Sequence, residues 1–154
     1  MLKATFSPIT KDDIIRVEEQ LSVQLPTDYI DFLLVNNGCV SNNDNFSVDI
    51  NMNGTVFPVN LDVMFGINTG NNNSDIEFWT EKFSDEMLES SVIIADTIQH
   101  GFIVLVCSGQ YTGVYYWDDS YHFEFSCDDV NTYFISDTFN DFLDLIDNSD
   151  KPFE

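Results

Sequence analysis

Two histidines, His100 and His122, and three cysteines, Cys39, Cys107 and Cys127, are the chain's complement of the side chains that most often act as bases, nucleophiles and metal ligands. No HxxxH or HExxH pairing occurs, and three scattered cysteines without a CxxC do not give zinc spacing. Cys127 and His122 form the best thiol and imidazole pair. Five residues apart near a strand end they need not face each other, and Asp128 and Asp129 would raise the thiol pKa. Asp49-x-Asn51-x-Asn53-Gly54 matches the first half of a calcium loop. Its twelfth position, however, is Asn60 where a bidentate Glu is needed, and Pro58 stands where a helix should begin. A glycosidase pair drawn from Asp118, Asp119 or Glu124 would need a sugar cleft and a partly buried acid, and the sequence shows neither. These residues predict no catalytic group, no metal site, no cofactor and no enzyme.

A mixture suited to protein recognition occurs in Trp117-Asp118-Asp119-Ser120-Tyr121, continuing to Glu124, Asp128 and Asp129. Aromatic side chains supply buried affinity and carboxylates steer a basic partner, so these residues are the candidate contact surface. Changing Asp118 and Asp119 to lysine is expected to leave the fold intact and weaken binding.

Charge sets the class of partner. In 154 residues, 27 carboxylates face five cations, Lys3, Lys11, Arg16, Lys82 and Lys151, for a net charge of −22. Such a chain repels nucleic acid and anionic membrane and attracts basic proteins. An acidic proteome, or charge kept for solubility, would give the same bias, but codon drift does not account for it: Asn, Phe and Ile are abundant, as AT-rich coding favours, while Lys, which the same drift would raise, is scarce. The odd, dispersed cysteines point to reduced thiols in an intracellular compartment, and no run is long and apolar enough to be a signal peptide or to span a bilayer. The expectation is one cytoplasmic domain over residues 1–154, long enough to bury roughly 70% of the surface of its unfolded chain. Its oligomeric state is not legible.

The elements that would carry the candidate surface centre on Gly101 to Asp119, two apolar runs around a polar turn, which predicts a buried hairpin in the middle of a sheet. Ser91 to Ala95 and Tyr133 to Ile135 are its expected neighbours, and Tyr121 to Phe125 alternates as a further strand would. Upstream, Thr10 with Asp13 predicts a capped helix bearing Ile14, Val17 and Leu21 on one face. Pro26 opens a second helix with Tyr29, Phe32, Leu33 and Asn36 on its inner face, and Asn37-Gly38 ends it. Phe46 to Met52 and Thr55 to Phe57 alternate around an Asn53-Gly54 turn. Pro58 is expected to limit the return strand's pairing to an edge or an end, Leu61 to Ile67 to form another short strand, and Asn68 to Asn73 a polar, mobile loop. Ser74-Asp75-Ile76-Glu77 reads as a capping box for a helix to about Glu89. A last helix, capped at Ser136 or Asp137, has an inner stripe of Phe139, Phe142, Leu143 and Ile146, and an outer ridge of Asp141, Asp144, Asp147 and Asp150.

The order of these motifs resembles a known family. Ile9-Thr10, Glu18 to Leu21, Leu25-Pro26-Thr27-Asp28-Tyr29, Phe32-Leu33 and Asn36-Asn37-Gly38 are similar to the N-terminal signature of the SUKH superfamily, the Smi/Knr-like domains. Ile93 to Asp96, Phe102 to Val106, Val114 to Asp118 and Ile135 to Phe139 with Phe142-Leu143 continue the likeness over about residues 9–147. Cys39 stands where members often carry a second glycine, and His100-Gly101 where they often carry Gly-Asp. The resemblance implies an α+β domain with a mostly antiparallel sheet and helices packed against it. It also implies a role: many bacterial members are immunity proteins that block a cognate polymorphic toxin, often a nuclease, while others serve as regulatory or scaffolding domains. A module binding a small molecule is a further alternative.

Overall fold

The computed structural model describes residues 6–40 and 46–150, with side chains through 146. It is an α+β fold with, among the described residues, four helices and a seven-stranded sheet. The helices are α1 (Lys11–Leu21), α2 (Thr27–Asn36), α3 (Ile76–Lys82) and α4 (Phe139–Asp150). The strands are β1 (Cys39–Val40), β2 (Ser47–Met52), β3 (Thr55–Met64), β4 (Ser91–Thr97), β5 (Phe102–Val106), β6 (Gly113–Trp117) and β7 (Thr132–Ser136). All pair antiparallel in the order β1-β3-β4-β5-β6-β7, with β2 on the outer half of β3.

The expected hairpin is central. Every residue of β5 is buried, as a continuous apolar run predicts for a strand covered on both faces. β2 also packs against β7, so the sheet curls until its two ends meet. α4 closes the concave side, contacting β2, β6 and β7 through an inner stripe that includes Phe139, Phe142 and Ile146. The outer side carries α3, whose Trp79 ring lies 5.3 Å from that of Phe102. Of the acidic ridge, Asp141 and Asp144 are exposed; the Asp147 and Asp150 side chains lie outside the described residues.

The N-terminal helices follow the sequence closely. Thr10 and Asp13 cap α1 reciprocally, the Thr10 amide donating to Asp13 Oδ2 at 2.9 Å. In α2 Pro26 is the residue before the first turn rather than in it, and the buried amide is Asn37, not Asn36. Asn37 Nδ2 donates to the carbonyls of Ser7 and Ile67, and its Oδ1 accepts the Ile67 amide at 2.8 Å. A buried amide must be satisfied in this way, and the three bonds fix the end of α2 against the chain following β3. Gly38 (φ 76°) makes the turn that follows, and Cys39 is buried behind it.

Five expectations fail locally. β3 is one ten-residue strand, because its first half pairs only with β2, which gives Pro58 an edge where a missing amide is tolerated. The 68–73 loop is tied down: Arg16 donates to Asn68 Oδ1, Thr69 to Asp75 Oδ1, and the Trp79 indole to the Asn73 carbonyl. Consequently the Ser74 capping box does not form. Asp75 is the N-cap, its carboxylate turned to Thr69, while Glu77 pairs with Arg16 at 3.4 Å. α3 ends at Lys82, and a 3-10 turn over Ser84–Glu86 leads on to Met87. At the other end of the chain the Thr138 hydroxyl, not Ser136 or Asp137, accepts the Asp141 amide at the start of α4.

Candidate partner-binding surface

The segment after β6 is a loop, not the alternating strand its residues suggest. Phe123 and Phe125 occupy alternate positions because both turn inward, their rings 5.6 and 5.8 Å from that of Phe57 on β3. Between them and Trp117 the chain reverses through Tyr121, a non-glycine residue in the left-handed region at φ 54°. Together these rings plug the end of the curled sheet.

Asp118 holds the plug in place. It is 0% exposed, and its Oδ1 and Oδ2 accept the amides of His122 at 2.8 Å and Phe123 at 3.0 Å. Its own amide donates to the Asn131 carbonyl at 2.8 Å, which joins the two ends of the loop. Trp117 is 7% exposed. Neither residue therefore presents its side chain broadly to a partner, and the expectation that Asp118 could become lysine with the fold intact is corrected. A buried carboxylate with two amide donors cannot be exchanged for a cation without stranding all three groups.

The rest of the candidate set is accessible. Asp119 is half-buried; Tyr121, Glu124, Asp128 and Asp129 are exposed, and the Tyr121 hydroxyl donates to Asp128 Oδ1 at 2.6 Å. Burial, followed by the neighbouring charges of Asp118 and Glu86, raises the Asp119 carboxyl above its ordinary pKa, and His100 partly offsets this. The two histidine rings meet, 4.5 Å between centroids, on this same side of the molecule. His122 thus packs on His100 and Phe123 in a loop instead of standing on a strand, and Cys127 is exposed. Cys107 is half-buried just beyond β5, with burial pushing its thiol up to about 12. Asn53-Gly54 is the tight turn of the β2–β3 hairpin, with Asn51 Oδ1 accepting the Gly54 amide, which accounts for the residues that imitate a calcium loop.

A second feature was not legible in the sequence. On the outer face of the sheet, register places Phe102 beside Trp117 and Val104 beside Tyr115, with Thr132 and Phe134 next to them on β7. α3 and Phe83 cover the Phe102 end, the Phe83 ring standing 5.4 Å from that of Trp117. The other end is open. It forms a groove of about 460 Å³ between the sheet and the Asp85–Leu88 segment, floored by Val104, Val106 and Tyr115. Leu88 (57% exposed), Tyr111 (55%) and Phe134 (50%) leave much apolar surface around it. Only the pairing of β5, β6 and β7 under a segment 16 to 49 residues away brings these side chains together.

A curled antiparallel sheet with helices on both sides, loops fastened by buried polar side chains and an open aromatic face defines a small α+β domain. The chain belongs to the SMI1 / KNR4 family (SUKH-1), whose model matches residues 8–145. Comparison with curated proteins and with solved structures gave no match. Among the described residues no helix is long and apolar enough to cross a membrane.

Proposed function

We propose that this protein is a non-catalytic, immunity-type member of its family, acting in the bacterial cytoplasm to bind a basic toxin domain and occlude it. The observation that carries this reading is the charge of a chain in this family: 27 carboxylates and only five cations. A toxin that acts on nucleic acid needs Lys and Arg for phosphate, and an acidic surface meets those same residues. Long-range attraction raises the encounter rate, and a few buried aromatic contacts then slow dissociation. Asp119, Tyr121, Glu124, Asp128 and Asp129 form the exposed part of the proposed contact, with Trp117 and Asp118 beneath them as its support.

Affinity capture from the source bacterium tests this, with washes at low and high salt and the retained proteins identified by mass. One stoichiometric protein with a basic domain, whose toxicity on expression is abolished by this chain, is the expected result. Recovery of diffuse basic proteins that salt removes would refute it. A stoichiometric partner without toxicity would favour the regulatory or scaffolding alternative.

A further inference from the structure

The groove on the outer sheet face has its own chemistry. Its floor and far wall are aromatic and apolar, while its near wall, the 3-10 turn, brings Asp85 and Glu86 to the rim. Asp119 lies near enough to Glu86 for their charges to oppose each other, and Asp137 acts likewise on the Tyr115 hydroxyl. No lysine or arginine is among its lining residues. The Tyr115 hydroxyl donates to the Tyr111 carbonyl at 2.7 Å, so the turn that forms one rim is held to the floor. The chain already shows how this aromatic layer treats a cation: Lys82 Nζ stands 5.1 Å from the Trp79 ring and 5.7 Å from that of Phe83, which touches Trp117.

From this geometry we infer that the groove receives an arginine side chain carried on a surface loop of a protein partner, flanked there by apolar residues. The assignment rests on the partner-binding reading above and adds the residue that enters. Arginine suits the site better than lysine. Its flat guanidinium stacks on Tyr115 or Tyr111 while its edge donates to Glu86 and Asp85, whereas an ammonium has no flat face to stack and no planar fork to span two carboxylates. Apolar neighbours in the partner would cover Leu88 and Phe134, which stand exposed on either side. A neutral apolar segment would leave the rim carboxylates desolvated without partners, so charge selects the occupant.

The probe is the peptide acetyl-Gly-Leu-Arg-Leu-Gly-amide, titrated into the isotopically labelled full chain and followed by NMR. Its control is the same peptide with citrulline, which keeps the shape of arginine and removes the charge. Saturable shifts at Tyr111, Tyr115, the Trp117 indole and Thr132 are expected, about tenfold weaker for citrulline and for an Asp85→Asn, Glu86→Gln variant. Asp141→Asn with Asp144→Asn, exposed on α4, should leave the titration unchanged. Equal binding of the two peptides, shifts spread over all carboxylates, or no saturable shift would each overturn the assignment. The two readings fail separately. A groove that takes the peptide while no toxin is captured sinks only the immunity reading. A captured toxin whose affinity ignores Asp85→Asn, Glu86→Gln sinks only the groove.

Discussion

Asp118→Ala is the substitution that best separates a supporting carboxylate from a recognition carboxylate. The side chain is fully buried and accepts two backbone amides at 2.8 and 3.0 Å. Hydrogen bonds to a charged acceptor are each worth roughly 1.5–3 kcal/mol. The His122 end of the loop can regain water, so the two losses do not add fully, and a destabilisation of about 2–4 kcal/mol follows. In a chain of this size that corresponds to roughly 4–15 °C in Tm. Asp119→Ala, one residue on, should cost under about 0.5 kcal/mol because that carboxylate holds no other residue's amide. Urea unfolding followed by tryptophan fluorescence measures both, and amide exchange at His122 and Phe123 should accelerate only in Asp118→Ala. Equal stability of the two variants within about 0.5 kcal/mol would refute the structural role of Asp118 and return it to the contact surface.

Three further outcomes are expected. Asp96, with burial as the main cause and Asp62 adding to it, has its carboxyl raised from 3.8 to about 6, while its Oδ1 accepts the Val63 amide. The folded state therefore holds a proton that the unfolded chain releases, so stability declines as pH rises from about 4 through 6. Asp96→Asn, which can still accept that amide, should flatten this decline and add about 1–2 kcal/mol at pH 7 after discounting for partial exposure; denaturation at pH 4 and pH 7 checks it. Gly66→Ala would put a methyl 2.6 Å from the Asn37 carbonyl oxygen and disturb the amide that fastens α2, costing about 1–3 kcal/mol, whereas a methyl at Gly70 meets nothing and costs only backbone strain from φ 85°. Association with a basic partner should slow at least tenfold between about 20 and 200 mM salt in stopped flow, and a flat profile would remove electrostatic steering.

The parts of the fold that could be read from the sequence are those in which one local rule acts alone. β5 is apolar throughout and is buried throughout; Thr10 with Asp13, and Asn53 with Gly54, form the cap and the turn that their types dictate. Errors arose where a distant partner claimed a side chain. Ser74 and Glu77 have the spacing of a capping box, but Arg16 on α1 engages Glu77, and Asp75, held to Thr69, takes the N-cap position. Phe123 and Phe125 alternate like a strand because Phe57, far away on β3, sits opposite both. For the same reason the acidic and aromatic mixture at Trp117 to Asp129 was visible, while the separation of Asp118 from its exposed neighbours was not.

The closing contact of α4 joins remote parts of the chain: the Asn140 amide donates to Asp28 Oδ2 across 112 residues, and Phe139 packs edge-on to Tyr29 at 4.8 Å. Until residues 139–146 exist, the concave side of the sheet and the inner face of α2 have no cover. A protein with so many remote contacts folds slowly and exposes its apolar surface meanwhile. Mutual repulsion between chains at −22 opposes the association of such unfinished molecules.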